Sequence, residues 1–198
     1  SLEVAMMKAD GTVSPFFDKI KANAIEISNL LPTSAKEILK VAALGKEMGM
    51  SEEALAGKAL QDISKYAMVA KNRDFVGALE FGNEIQKSWG ITEDKIGTVL
   101  DTFAKAKGLG VKDIEMKELV SRTGASAAAR EQGGFEKLAE RLPFYAMLLE
   151  KGGSGSTTAL NLNTLESRVL DRKNVAKAAK MSGIDFNFQD KDGTYLGL

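Results

Sequence analysis

Residues Asp74–Gly90, DFVGALEFGNEIQKSWG, decide the fold. Phe75, Ala78, Leu79, Gly82, Ile85 and Trp89 recur at i, i+3, i+4 and i+7 spacing, which gathers them on one stripe of an α-helix. Asp74 stands where an N-cap belongs, and Gly90 where a left-handed residue closes a helix. The same periodicity extends to both sides. Leu55, Ala59, Ile63, Tyr66 and Ala70 form one stripe, and Ile96, Val99, Leu100 and Phe103 another. A further stripe runs Phe135, Leu138, Ala139, Leu142, Ala146, Leu149. Strict apolar–polar alternation, the mark of a half-buried strand, is not sustained before the last dozen residues.

Start and stop signals cut these stripes into short helices. Ser34 with Glu37 forms a capping box, and Ser51 precedes two acids of a first turn, Glu52 and Glu53. Thr92 opens another helix ahead of Glu93 and Asp94. Gly49, Gly90, Gly108, Gly124, Gly152 and Gly183 are placed to end helices. The pattern predicts about nine helices: 14–31, 33–48, 51–71, 74–88, 92–107, 112–123, 134–150, 156–171 and 173–182. Pro143 falls inside the seventh and is expected to kink or restart it, having no N–H to donate. Small residues on the apolar faces (Ala35, Ala42, Gly45, Ala125–Ala129) suit close packing of many helices, and no heptad repeat persists that would make a rod. Near the C-terminus, Asp185–Phe188 and Thr194–Leu196 flank an Asp192-Gly193 turn, the pattern of a small β-hairpin. The Asp10-Gly11 turn suggests a matching strand in the stretch to Val13. The expected fold is all-α, a compact multi-helix bundle with a small C-terminal β-hairpin. Residues 1–31 form an N-terminal segment and first helix, 32–183 the helical core and 184–198 the hairpin, within one structural domain overall.

Composition narrows function by exclusion. The 198 residues carry 27 basic and 27 acidic side chains, no His and no Cys, with a pI near 6.4. Such a chain buries about 70% of its unfolded surface, so it folds without metal or disulfide. The absence of imidazole and thiol removes Ser-His-Asp and Cys-His nucleophile systems and conventional zinc sites. Zero net charge gives no general attraction to nucleic acid or anionic lipid. The longest strongly apolar run, Leu142–Leu149, is far below the ~20 residues a membrane span needs. No basic-then-apolar leader opens the chain, and a first residue of Ser1 reads as a piece of a longer protein.

Candidate chemistry was weighed motif by motif. Gly152–Gly155 ahead of Ser156, Thr157 and Thr158 resembles an anion cradle at a helix start, but lacks the Gly-Lys-Ser/Thr of a P-loop and reads as a loop with an N-cap. No Ser-x-x-Lys occurs. Asp190, Asp192 and Gly193 have neither the spacing nor the closing Glu of an EF-hand loop. The densest basic clusters are Lys19/Lys21, Lys105/Lys107, and Arg172 with Lys173, Lys177 and Lys180. They have no interleaved aromatics and read as solvated helix faces. The eight Met residues read as core filling. Glu166-Ser167 matches the Glu-Ser pair that opens the motif of lytic transglycosylases, in which a helical Glu protonates a glycosidic oxygen; the family's Gly-Leu-Met-Gln segment is missing. No catalytic residue, cofactor or metal is assigned, and the chain is expected not to be an enzyme.

An ordered set of segments carries a family resemblance. Pro32-Thr33-Ser34 leads a helix of small residues through Gly49-Met50, and Ser51-Glu52-Glu53-Ala54-Leu55 follows. Gly90–Ile96 is a second glycine–aliphatic–Thr–acidic helix start. Gly152–Leu160, with Leu162, Leu165 and Leu170, is a glycine-rich turn running into an Ala-Leu helix. Met181–Asp185 and then Asp190–Gly193 close the series. In order and spacing, residues 30–198 resemble the core region of tail tape measure proteins of long-tailed phages and prophages. Pro143, the Gln132-Gly133-Gly134 break and the lack of long flanking helices depart from that pattern.

The resemblance implies a structural protein of the virion tail, present in the host cytoplasm during assembly. It implies tail length determination through contacts with the tail tube protein, tail tip or baseplate proteins, an assembly chaperone and copies of itself. No specific nucleic acid binding is expected, and no membrane span in this fragment. The rival expectations are a helical interaction or regulatory module unconnected with phage, and a peptidoglycan-cleaving domain using Glu166.

Overall fold

A computed structural model of the chain describes residues 2–7, 11–108, 110–130 and 133–183. Among them are eleven α-helices and one 3-10 turn, with no strand; the only β-type pairing is an isolated antiparallel bridge between Met7 and Val13. The all-α class is therefore observed. The expected C-terminal hairpin, 184–198, lies outside the described residues. The N-terminal stretch holds a short helix, α1 (Leu2–Ala5), and that one bridge in place of the expected strand. The chain divides into two compact units, Ser1–Gly110 and Val111–Leu198, where a single domain with boundaries near 31 and 183 was expected.

In the first unit, α2 (Phe16–Leu30), α3 (Ala35–Glu47), α4 (Glu52–Ala56), α5 (Lys58–Ala70), α6 (Phe75–Trp89) and α7 (Ile96–Gly108) pack around one core. The caps work as the residue types dictate: the Ser34, Ser51 and Asp74 side chains accept from the N–H groups of Glu37, Ala54 and Gly77. The capping box at Ser34 is only half made, because Glu37 takes the Thr33 hydroxyl at 2.7 Å. All of the stripe residues of α6 and α7 named above are buried, as are Leu55, Ala59, Ile63, Tyr66 and Ala70. Tyr66 stacks on Phe81 at 5.7 Å between centroids, and Phe81 meets Phe103 edge-on at 4.8 Å, offset and T-shaped arrangements that aromatic quadrupoles favour.

The expected helix 51–71 is broken at Gly57, which caps α4 on one side and opens α5 on the other. Asn23, buried on α2, explains how the break survives. Its amide donates to the Leu55 and Gly57 carbonyls, both at 3.0 Å, and its own oxygen accepts from Gln61 at 3.0 Å. One side chain thus satisfies the backbone groups that the interruption orphans.

The second unit is built on α8 (Asp113–Ala128), α9 (Phe135–Glu150), α10 (Gly155–Leu170) and α11 (Arg172–Ser182). Two expectations are corrected here. Helix α8 does not stop at Gly124 but runs to Ala128, because the alanines beyond it are strong helix formers and Gly124 is buried inside the helix. Helix α9 runs on through Pro143 without a break. Met116, Leu119, Val120, Leu138, Leu142 and Ala159 supply the buried apolar contacts of this unit.

Candidate functional site

The most buried ionic centre in the described residues lies in the second unit. Glu166 sits on α10 one helical repeat beyond Ala159, so the periodicity that buries Ala159 also turns Glu166 inward. Its carboxylate is only 6% exposed and is gripped by two guanidinium groups. Arg130, in the turn that follows α8, donates from Nη1 to Oε2. Arg141, on α9, donates from Nη1 to Oε1 at 2.7 Å. Arg130 also reaches the Ser167 hydroxyl at 3.2 Å, and that hydroxyl donates to the Asn163 carbonyl at 2.7 Å. One carboxylate therefore ties the end of α8 to α9 and α10.

The electrostatics follow from this geometry. Burial pulls the Arg141 guanidinium down, but the Tyr145 hydroxyl beside it and the Glu166 carboxylate outweigh that effect and hold it above the ordinary arginine value. The Tyr145 hydroxyl is itself buried and lies near Arg141 without hydrogen-bond geometry. Ion pairs taken this far out of water hold structure together only when both signs are present.

A general acid must present a protonated oxygen to its substrate. Both Glu166 oxygens here accept from guanidinium N–H groups, and neither opens onto a cleft. The arrangement is that of a structural clamp. Sequence reading found Glu166 but not Arg130 or Arg141. The available signal was a carboxylate on the apolar face of a helix, which requires cations opposite it.

The glycine-rich loop also has a packing explanation. Helix α10 is capped by Ser154, which accepts from Thr157 N–H, and begins at Gly155 rather than Ser156. The Gly155 N–H, the position an anion would use, donates to the Glu115 carboxylate at 2.6 Å. A Cβ at Gly155 would lie 2.0 Å from the Glu115 carbonyl oxygen, so glycine is what lets α10 approach α8. This anion position is occupied by the protein's own carboxylate.

The basic clusters are likewise engaged or dispersed. Lys19 and Lys21 lie over the Phe16 and Phe17 rings at 4.9 and 5.0 Å. Lys105 pairs with Asp101 at 2.6 Å, and Lys107 donates to the Ala70 carbonyl. Lys177 and Lys180 lie on α11, as do the backbones of Arg172 and Lys173. Asp190, Asp192 and Gly193 lie outside the described residues. Among the described residues no group of three or more acidic side chains could hold a metal ion, and no helix is long and apolar enough to cross a membrane. No family model, curated protein or solved structure matches the chain.

Proposed function

We propose that this chain is the core domain of a phage or prophage tail tape measure protein, acting in tail assembly and length determination through protein–protein contacts. The observation that carries the reading is the ordered series Pro32–Leu55, Gly90–Ile96, Gly152–Leu170 and Met181–Gly193. The helix punctuation supports it: α3 starts after Pro32-x-Ser34, a helical start follows Gly90, and α10 leaves the glycine-rich turn. Exposed apolar side chains on separate helices, including Ile25, Val69, Ile114, Phe144 and Leu160, give such contacts a physical basis. Its partners in that role are the tail tube protein, tail tip proteins, an assembly chaperone or copies of itself.

The test is an in-frame deletion of Pro32–Gly183 in the parent phage, followed by tail lengths in electron micrographs. Tails shortened by roughly 200 Å, the helical rise of the missing residues, are expected if the segment measures length as an extended helix. Loss of tails is expected if the compact fold anchors or initiates assembly. Tails of unchanged number and length would overturn the reading.

A further inference from the structure

The first unit carries a groove of about 540 Å³ that the packing of its own helices leaves unfilled. Its floor is apolar: Leu2 of α1, Phe17 of α2, and Leu39, Ala43 and Leu44 of α3. Phe17, Leu39, Ala43 and Leu44 are all half-buried, so each keeps apolar surface facing the groove. Cations stand on both walls. Lys21 lies one turn beyond Phe17 on the α2 wall, and Lys36 and Lys40 lie one turn apart on the α3 wall. All three are exposed, and none makes an ion pair among the described residues. Glu47 marks the far end of the α3 wall, about 16 Å from Lys36 at the helical rise.

From this geometry we infer that the groove is a docking site for an acidic amphipathic helix of a partner protein. The occupant is a helix of about three turns that sets an apolar stripe on the floor and carries carboxylates along both flanks. An apolar floor between walls is the helix-in-groove mode of recognition. Unpaired lysines on both walls select the sign of the flanks, and Glu47 selects a cation at one end. A surface of this size suits a transient contact rather than a permanent one. The inference stands on the groove alone and does not depend on the tail reading.

The test uses the full chain and a fluorescein-labelled 15-residue helical peptide with Leu at i, i+3, i+4 and i+7 and Glu on both flanks. A second peptide carries Lys in place of Glu. Fluorescence anisotropy at low salt is expected to show the acidic peptide binding and the basic one binding at least about tenfold more weakly, the effect of three exposed ion pairs. The Lys21→Glu/Lys36→Glu/Lys40→Glu variant, altered only at exposed positions, is expected to keep its helical spectrum and melting temperature and to reverse that preference. Equal binding of the two peptides, or binding of neither, would overturn the proposal. Sedimentation showing a dimer of the parent chain that the triple variant abolishes would assign the groove to a second copy instead. Lysine-dependent binding to phosphatidylserine vesicles, with no peptide binding, would assign it to a lipid surface. Either of these results also overturns the proposal.

Discussion

Replacing Glu166 by Gln tests whether this buried carboxylate serves structure or chemistry. The substitution preserves shape but removes the charge between two guanidinium groups whose side chains are only 15% and 18% exposed. It also turns an amide N–H₂ toward one of them, donor facing donor. At an effective dielectric near 20, one pair at 4 Å contributes about 4 kcal/mol of attraction. Removing one partner of a buried pair costs about 3–5 kcal/mol, because the remaining charge is left uncompensated. For a unit of about 90 residues each kcal/mol lowers Tm by about 4–8 °C, so a fall of at least about 12 °C is expected. Circular dichroism melts measure the fall, and hydrogen exchange should locate it in α8, α9 and α10. A companion variant, Arg130→Met/Glu166→Leu/Arg141→Met, should recover much of the loss, since a packed apolar trio needs no charge balance. If Glu166→Gln melts within about 2 °C of the parent, the clamp reasoning is refuted. If that stable variant also loses activity against cell-wall suspensions that the parent clears, Glu166 is a catalytic acid.

Three other perturbations probe separate links. Asn23→Ala should destabilise by about 1–3 kcal/mol in urea titrations, since it orphans the Leu55 and Gly57 carbonyls at the break between α4 and α5; a loss below about 0.5 kcal/mol would sink that account. Gly155→Ala should cost about 1–3 kcal/mol by pressing a methyl group onto the Glu115 carbonyl, while Gly108→Ala, with open space around it, should be neutral or stabilising. The reverse order in thermal melts would contradict the close approach of α10 to α8. The exposed Asp94 carboxyl is held below its ordinary pKa chiefly by a hydrogen bond with the Thr92 side chain, with its own backbone N–H and Lys95 adding to the effect. A lowered carboxyl stabilises the fold above its unfolded pKa and loses that contribution as pH falls through the folded one. Thr92→Val should therefore raise the Asp94 pKa in a carboxyl NMR titration, and an unchanged midpoint would refute the assignment.

What was legible in the sequence was what local physics decides. Periodicity placed the stripes of α5, α6, α7 and α9, and caps such as Ser51 and Asp74 set helix starts to within two residues. Tertiary contacts decided the rest. Gly57 sits inside an unbroken apolar period, and only a buried amide from α2 reveals why the helix parts there. Gly124 looked like a stop, yet it serves as a packing position within α8. The glycine-rich loop drew attention as an anion site, whereas Gly155 is set by the Glu115 backbone, 40 residues away in sequence. Arg130 and Arg141 are unremarkable in sequence and gain meaning only from Glu166 opposite them.

The tail reading meets a physical constraint that the first unit makes quantitative. A length ruler is most economical as an extended helix, at about 1.5 Å per residue. Trp89, Phe81, Phe103, Ile63, Leu60 and Leu79 are almost wholly removed from water in the packed unit. Each such side chain loses about 1.5–3 kcal/mol on exposure. Straightening α5, α6 and α7 into one rod would expose all of them together, which exceeds the 5–15 kcal/mol that typically stabilises a domain. A surrounding surface would have to cover the same residues for the rod to persist. Within the tail reading, the packed helices therefore favour an anchoring or initiating role for this core. Measurement of length would fall to segments whose apolar faces are covered while they are extended. The deletion of Pro32–Gly183 separates the two roles directly, because an anchor removed abolishes tails and a ruler removed shortens them.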